Sequence, residues 1–392
     1  MKKGAEFSFI IPNTFLRVTS YDESRRFFVN NFQFRELADI GNDVFAGAVT
    51  SAIILIAKKE IPDFTKQLKI IKKVGDKESN LYPLERVTSN NYIISSTTDD
   101  DSQKILNKLK IDSFNLIEIS SEMIFGVVIS KNLNELVFNY KEDDMKPFLE
   151  GKDISNYIIR NSNKFIKYIP EKLHRARRPK IFEVKEKLLV QRITGGKKPL
   201  KVAYDNSQYY NKESINNIIL HENSKYDIKY ILSLLNSNLI NWFYNKAFTN
   251  GSTLTVNISK EYLSQIPIKN ISSDSQKLFV EKADLMISLN KDLQDISAKF
   301  QRTCERKFEN LNLNKKLQDW YNLSYADFIK ELSKQKIKLT LSEEAEWADY
   351  FDQEKSKALE IKSKIASTDK QIDQMVYELY GLSEEEIGIV EN

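Results

Sequence analysis

Residues 187–204 have the sequence KLLVQRITGGKKPLKVAY, and the rest of the chain is expected to be organised around them. The apolar run at 187–193 predicts a buried strand, and 201–204 predicts a second strand running back beside it. Between them, Thr194, Gly195, Gly196 and Lys197 predict a tight turn in which a glycine takes a positive φ. The segment therefore predicts a β-hairpin with a basic tip.

Positive charge is concentrated around this hairpin. Residues 163–201 contain 13 Lys and Arg against three Glu, a net of +10 in a chain whose total is only +4. Such a concentration is typical of a surface that lies along a phosphate backbone. Basic hairpin tips also occur as ordinary solvated loops, so the charge alone leaves both interpretations open.

Composition limits the class of protein. The 392 residues are enough for two or three domains, and one cysteine, Cys304, excludes a disulfide framework. Two histidines and one cysteine cannot form a zinc site, so no metal is predicted. The longest apolar run, residues 51–57, is too short to cross a bilayer. We expect a soluble cytoplasmic protein that makes no membrane contact.

The N-terminal region has the pattern of part of an α/β domain. Residues 7–11, 34–40 and 51–57 predict strands, and 21–30 predict an amphipathic helix between the first two. A strand as apolar as 51–57 needs cover on both faces. Three strands and one helix are too few for a doubly wound domain, so this region is expected to be the end of a larger one.

Several of these segments resemble one enzyme family in order. GAEFSFIIPNTFL at 4–16 and ELADIGNDVFAGAVTSAIILIAKK at 36–59 are similar to the C-terminal part of the catalytic domain of TaqI-like adenine-N6 DNA methyltransferases and of type IIG restriction-modification enzymes. MKPFLEGKDI at 145–154 resembles the entry into the family's target-recognition domain, and GSTLT at 251–255 and YLSQIPI at 262–268 follow in the family's order. The resemblance covers roughly residues 7–268.

The resemblance implies an α/β fold with a partial Rossmann-like methyltransferase remnant at 1–60, a linker at 61–80 and an α/β target-recognition domain at 81–272. Residues 273–392 carry long apolar stripes, one containing Cys304 as a core residue, which predict a C-terminal antiparallel helical hairpin resembling a coiled coil. Residues 341–392 contain 14 Asp and Glu against five Lys. This acidic face is expected to point away from DNA or toward a basic partner.

The resemblance also implies an incomplete catalytic site. The family's glycine-rich loop for S-adenosylmethionine and its Asn-Pro-Pro-Tyr motif do not occur in this sequence. No catalytic or cofactor-binding residue is therefore assigned, and S-adenosylmethionine is implied only for the complete enzyme, with a separate chain carrying the methyl-donor half as a candidate partner. Phe45 matches the aromatic residue that stacks on the flipped adenine. Packing beneath the strands is the alternative for this ring.

Double-stranded DNA is the expected partner of the basic hairpin and of the 251–255 loop, although that loop also fits a plain connector. The candidate DNA-binding residues are Arg175, Arg177, Arg178, Lys180, Arg192, Thr194, Gly195, Gly196, Lys197, Lys198, Ser252, Thr253 and Thr255.

The leading hypothesis is a DNA-recognition portion of an adenine-specific methyltransferase or type IIG restriction-modification enzyme, without methyl transfer of its own. A stand-alone specificity subunit that recruits a separate methyltransferase or nuclease is the second hypothesis. A structural adaptor acting through its helices alone is the third.

Overall fold

The computed structural model describes residues 1–16, 21–41, 52–71, 79–89, 92, 94, 100–129, 133–160, 162–249 and 256–392. The chain divides into two compact units. The first comprises Met1–Asn107 and Phe243–Thr253, and the second comprises Lys108–Trp242 and Leu254–Asn392.

The first unit is built on a five-stranded sheet with the order β1-β3-β2-β4-β5. Its strands are β1 (Glu6–Pro12), β2 (Gln33–Gly41), β3 (Ala52–Lys58), β4 (Gln67–Ile71) and β5 (Ser79–Pro83). The apolar β3 pairs with β1 on one edge and β2 on the other, and all three predicted strands are present. Residues 61–80, for which the sequence indicated a linker, contain β4 and the start of β5, and β4 runs parallel to β2.

Three helices accompany this sheet in the chain, namely α1 (Asp22–Asn31), α2 (Leu84–Ser89) and α3 (Asp100–Lys110). The predicted first helix is present, and it contains a buried arginine. The Arg25 guanidinium donates to the carbonyl oxygen of Phe15 at 2.8 Å and pairs with Asp22 at 3.0 Å. These contacts compensate the burial of the charge and fix α1 to the segment that follows β1.

The second unit has a four-stranded main sheet with the order β13-β11-β15-β7. These strands are β7 (Ser120–Phe125), β11 (Lys187–Gln191), β13 (Val202–Asp205) and β15 (Ile215–Leu220). The two predicted strands are present as the antiparallel pair β11 and β13. Residues 192–201 join them instead of the predicted tight turn at 194–197, and Gly196 in this connection has a φ of 87°. The first strand ends at Gln191, earlier than predicted.

The residues just beyond β11 join a different strand pair. Ile193 and Thr194 form β12, which pairs with β16 (Val256–Asn257) in a separate two-stranded ribbon. The remaining strands are β6 (Ser113–Asn115), β8 (Val137–Phe138), β9 (Met145–Leu149), β10 (Phe165–Lys167), β14 (Tyr210–Asn211) and β17 (Pro267–Lys269). They form a sheet of order β14-β9-β10-β8 and the pair β17-β6.

The single amphipathic helix predicted near 226–245 is divided in two. Helix α5 (Ile228–Asn236) ends at Ser237, and α6 (Asn238–Phe248) follows. The polar residues that made the sequence look amphipathic are buried, because Asn236 donates to the carbonyl oxygen of Val202 at 3.0 Å and Asn241 accepts the N–H of Leu200 at 2.8 Å. These amides satisfy main-chain groups beside β13, so burial costs them little.

Two long helices dominate the C-terminal part. The helices of the second unit not yet given are α4 (Leu133–Leu136), α7 (Lys260–Leu263), α8 (Ser273–Lys307), α9 (Lys315–Gln318), α10 (Tyr325–Lys334), α11 (Leu341–Tyr380) and α12 (Glu384–Glu391). Lys282 contacts Gln371, and Phe300 contacts Phe351, so α8 and α11 run in opposite directions.

The residues between α8 and α11 complete a small aromatic core. Phe300 stacks on Trp320 with ring centroids 3.7 Å apart, and Cys304 is buried beside them. Burial raises the pKa of the Cys304 thiol to about 12, which fits a packing role and not a nucleophilic one. In the first turns of α8 the buried residue is Phe279, one position after the predicted Leu278, which is 50% exposed.

An ion pair lies inside the main sheet of the second unit. Lys187 on β11 and Asp205 on β13 are directly opposite each other, 2.6 Å apart, and neither side chain is exposed. Lys187 also donates to the carbonyl oxygen of Phe182 at 2.7 Å. Burial lowers the pKa of Lys187, and Asp205 opposes that shift. One cation of the basic segment is therefore part of the core and unavailable to a ligand.

Replacing Asp205 with Ala is expected to destabilise the second unit by about 3–5 kcal/mol, because the Lys187 ammonium would remain buried without a counter-charge. The measurement is urea unfolding followed by circular dichroism. Asp144→Ala, which breaks the exposed pair with Lys167, is the control and should leave the unfolding midpoint unchanged. Equal midpoints for the two variants would contradict the prediction.

Candidate nucleic-acid interface

Three arginines from two separate segments meet over one aromatic ring. Phe125 is the last residue of β7, and the guanidinium carbons of Arg177, Arg192 and Arg175 lie 4.3, 4.9 and 5.8 Å from its ring centroid. Cations at these distances are attracted to the electron-rich face of the ring. We call Phe125 and these three residues the arginine cluster.

Main-chain hydrogen bonds hold the segment that carries Arg175 and Arg177. The Arg175 N–H donates to Val128 at 3.2 Å, and the Val128 N–H donates back at 3.0 Å. The Tyr168 hydroxyl accepts the N–H of Arg177 at 3.2 Å and donates to its carbonyl oxygen. The Arg177 side chain itself donates from Nε to the carbonyl oxygen of Phe125 at 3.0 Å. An irregular segment is thus fixed against the end of β7.

Arg192 is fixed at the point where β11 ends. Its N–H donates to the carbonyl oxygen of Ser214 at 2.9 Å, and its own carbonyl oxygen accepts the N–H of Ile258 at 2.7 Å. The side chain donates from Nη1 to the carbonyl oxygen of Glu213 at 2.8 Å. Both the main chain and the guanidinium of Arg192 are therefore held in position.

A glycine is required next to the ring. A Cβ atom on Gly126 would lie 2.0 Å from the main-chain oxygen of Asn211, far inside van der Waals contact. Asn211 cannot easily retreat, because its side-chain amide exchanges two hydrogen bonds with Asn217, of 2.7 and 3.0 Å. This close approach sets where the chain leaves β7 and hence where the Phe125 ring is presented.

The arginine cluster forms no ion pair with the described residues. Within the part of the chain that the structure describes, no carboxylate oxygen lies within 4.0 Å of the guanidinium of Arg175, Arg177 or Arg192. Burial, together with the adjacent charge of Arg175, lowers the pKa of Arg177. Three adjacent guanidiniums without counter-charges favour the binding of an anion, and their planar forks suit phosphate oxygens.

The other basic candidates near the cluster have different surroundings. Arg178 forms an ion pair with Glu122 of β7, and Lys180 is exposed on a short 3-10 turn. Thr194 is buried, although the sequence assigned it to an exposed turn, because its side chain lies on the inner face of β12. Gly195 is half-buried, and Gly196 is exposed.

The lysines at the hairpin tip contact the acidic C-terminal region. Lys197 donates to the carbonyl oxygen of Asn392 at 3.0 Å, and Lys198 lies 3.1 Å from Asp369 and 3.8 Å from Asp373 of α11. The acidic face of α11 therefore faces a basic segment of the same chain. The sequence analysis expected this acidic face to point away from DNA or toward a basic partner, and not toward the hairpin tip of the same chain.

Phe45, Ser252, Thr253 and Thr255 lie outside the described residues. The strand pairing nevertheless fixes the chain just after Thr255, since Val256 of β16 is opposite Thr194 of β12. Sequence analysis did not identify Phe125, because a phenylalanine at the end of an apolar strand is usually a core residue. Only the tertiary fold brings the three arginines to the Phe125 ring.

Comparison with known families accounts for the segment that carries the three arginines. Residues 146–268 match the model described as the TaqI-like C-terminal specificity domain. This segment is therefore similar to a TaqI-like C-terminal specificity domain. Residues 272–376 match DUF8810, a domain of unknown function that coincides with α8 to α11.

Among curated proteins, the chain is 25% identical over 265 residues to a putative type II restriction enzyme and methyltransferase of Methanocaldococcus jannaschii, which covers 62% of this chain and 21% of the relative. Among solved structures, the type IIL restriction-modification enzyme MmeI in complex with DNA matches 98% of this chain and 48% of its own, with a TM-score of 0.52 and 11% identity. The match to the type IIG restriction endonuclease BpuSI covers 97% of this chain and 48% of the BpuSI chain, with a TM-score of 0.36 and 12% identity.

These matches show an α/β fold shared with MmeI and a similarity to restriction-modification enzymes. The chain spans about a fifth of the length of the Methanocaldococcus jannaschii relative and about half of the MmeI chain. Among the helices that the structure describes, none is long and apolar enough to cross a membrane.

The stability of the chain is expected to depend on pH through Asp373 of α11, which contacts Lys198 of the hairpin tip. Burial raises the pKa of Asp373 to about 6, although Lys198 and the N–H of Asn238, 2.6 Å away, act in the opposite direction. Because this pKa is higher in the folded chain than in the unfolded one, the folded chain binds the proton more tightly. Stability is therefore lost as the pH rises from about 4 to about 6.

Asp373→Asn should abolish this loss and stabilise the chain at neutral pH by about 3 kcal/mol, because a neutral amide removes the cost of a buried charge and still accepts the Asn238 N–H. Urea unfolding from about pH 4 to about pH 7 measures the effect. Asp369→Asn removes one of the charges that raise the Asp373 pKa and should therefore reduce the pH dependence without abolishing it. If Asp373→Asn left the dependence of the unfolding free energy on pH unchanged, the raised pKa of Asp373 would not be its cause.

Proposed function

We propose that this chain is the DNA target-recognition portion of an adenine-specific DNA methyltransferase or type IIG restriction-modification enzyme, and that the arginine cluster binds the DNA backbone. The observation that carries the proposal is the set of three guanidiniums over Phe125 that lack a carboxylate among the described residues. A phosphate supplies the missing charge, and a duplex offers phosphates at regular spacing.

The comparisons support the same class of ligand. The family model that covers Arg175, Arg177 and Arg192 is named for specificity, and MmeI was solved in complex with DNA. The Methanocaldococcus jannaschii relative is described as both a restriction enzyme and a methyltransferase. A specificity segment in such an enzyme selects the DNA site on which the chemistry is done.

The cluster suits backbone binding because two of its three arginines are fixed before a ligand arrives. Arg177 and Arg192 are half-buried, and each guanidinium donates one hydrogen bond to a main-chain oxygen. Arg175 is exposed, and its guanidinium makes no hydrogen bond to the described residues. Preorganised cations lose little conformational freedom on binding, so more of the electrostatic attraction appears as affinity.

Methyl transfer would belong to the complete enzyme. The sequence contains no Asn-Pro-Pro-Tyr motif and no glycine-rich loop after a strand, so S-adenosylmethionine and the reacting amine would be held by further polypeptide. We propose that this polypeptide is a separate chain that carries the methyl-donor half, that Phe45 stacks on the flipped base, and that the system acts in the cytoplasm.

Substituting Arg175, Arg177 or Arg192 by Gln is expected to weaken binding to random-sequence duplex DNA, since each change removes a charge and keeps the aliphatic stem. Each should also reduce the slope of log affinity against log salt by about 0.9, the value for one lost phosphate contact. Fluorescence anisotropy across a salt series measures both quantities.

Arg306→Gln is the matched control, because Arg306 is an exposed arginine in the last turn of α8, remote in sequence from the cluster. It should leave both affinity and slope unchanged. If the control and the three cluster variants lose affinity equally, binding follows net charge alone and the assignment of the cluster is wrong.

A further inference from the structure

One edge of the five-stranded sheet in the first unit is unpaired within the described residues. β1 is the outermost strand on that side, and its only strand partner is β3. Alternate main-chain N–H and C=O groups of an edge strand point away from its one neighbour and can bond to a further strand. Edge strands are usually protected by charged residues or prolines, yet residues 7–11 contain neither. The outer edge of β1 is therefore suited to pairing.

Both faces of β1 carry exposed apolar side chains. Phe9 is 46% exposed and Ile10 is 56% exposed, and successive residues of a strand project to opposite faces. On the Phe9 side the apolar surface continues onto α1. The ring centroid of Phe28 lies 6.1 Å from that of Phe9 and 5.6 Å from that of Phe27, which is 57% exposed. Contiguous apolar surface beside unpaired main chain is typical of a protein interface.

The partner of this edge has to cover both faces of β1 as well as its main chain. A single peptide strand would bond to the main chain, but it has no layer above or below the sheet to cover Phe9 and Ile10. A strand that brings its own helices would cover both, as in sheets that are buried on two sides. The match to MmeI takes up 48% of the MmeI chain, so an enzyme of this fold has about as much polypeptide again outside the match. The edge therefore fits a further α/β body that continues the sheet.

The strand directions indicate which end of the sheet such a body would serve. β1 and β2 both run antiparallel to β3, and β4 runs parallel to β2, so these three strands point the same way. Ala52 of β3 is opposite both Pro12 and Gly41, which places the carboxyl ends of β1 and β2 at one end of the sheet. Phe45, which lies outside the described residues, follows β2 in the chain. Ligands of open α/β sheets bind outside the carboxyl ends of the strands.

We propose that the outer edge of β1 pairs with a parallel strand of the methyl-donor half, so that the two chains form one continuous sheet. The parallel direction follows from the donor, because a glycine-rich loop begins at the carboxyl end of its strand. Only a strand parallel to β1 brings that end beside Pro12. The inference rests on the proposed function, which assigns S-adenosylmethionine to a separate chain. It adds the surface at which that chain docks.

The test uses the full chain and, as the probe, the polypeptide from the same genome that contains both the glycine-rich loop and the Asn-Pro-Pro-Tyr motif. Ile10→Lys places a charge in the apolar interface and should weaken the complex by about tenfold or more, with loss of methyl transfer to DNA. Leu81→Lys is the matched control, because Leu81 is 62% exposed on β5, the opposite edge strand of the same sheet. It should behave as the wild type. Analytical ultracentrifugation measures the affinity.

Cross-linking locates the contact without relying on a loss of affinity. The one cysteine of the chain, Cys304, is buried, so a cysteine introduced at an exposed position carries the reactive thiol. Ser8→Cys, at an exposed position of β1, is labelled with a short benzophenone reagent and should capture the methyl-donor chain on irradiation. Ser79→Cys, at an exposed position of β5, is the matched control and should not capture it.

The outcomes separate this interface from the proposed function. A complex that Ile10→Lys forms as tightly as the wild type, or equal capture from Ser8→Cys and Ser79→Cys, would overturn the interface and leave the arginine cluster in place. Capture of a second copy of this chain from Ser8→Cys would also overturn it, because β1 would then pair with itself.

Two further results concern the chains themselves. If the genome encodes no such polypeptide, or if the wild-type chains form no complex, both the separate partner and the interface are wrong. Duplex binding is measured in parallel by fluorescence anisotropy, and Ile10→Lys should retain it. Absence of DNA binding by the wild type would refute the proposed function itself.

Discussion

The two main-chain hydrogen bonds of Arg192 are the constraint on which the candidate site depends. One bond joins the end of β11 to Ser214, just before β15, and the other joins it to Ile258, just after β16. At this residue the chain leaves the main sheet and enters the ribbon, while the side chain turns toward Phe125. Sheet, ribbon and arginine cluster therefore share one fixed point, and a shift of register there would move all three together.

The basic segment separates into groups with different physical roles. Lys187 is neutralised inside the sheet, and Lys198 is paired with two aspartates of α11. Arg175 and Arg177 remain without carboxylates among the described residues. Net charge over a stretch of sequence therefore overstates the charge that a ligand meets, because pairing within the fold removes part of it. The arrangement leaves an uncompensated surface much smaller than the count of basic residues implies.

Sequence patterns predicted those features that depend on local geometry. The β11 and β13 hairpin, the positive φ at Gly196 and the three N-terminal strands follow from alternation and turn chemistry. The break between α5 and α6 was not predicted, because it depends on amides that bond to a distant strand. The convergence on Phe125 was missed for the same reason, since Arg175 and Arg192 reach it from segments whose proximity only the tertiary fold creates. The roles of Phe45 and of the 251–255 loop, which lie outside the described residues, remain predictions.

The pairing of Lys198 with α11 has a consequence for how DNA meets this domain. Any phosphate that approached the hairpin tip would have to displace Asp369 and Asp373 from a contact already made, whereas a phosphate at the arginine cluster replaces only water. Electrostatic attraction of phosphate therefore favours the arginine cluster over the hairpin tip, to which the sequence analysis assigned DNA binding. On the proposed function, the aspartates of α11 thus direct the duplex to the arginine cluster and away from the hairpin tip.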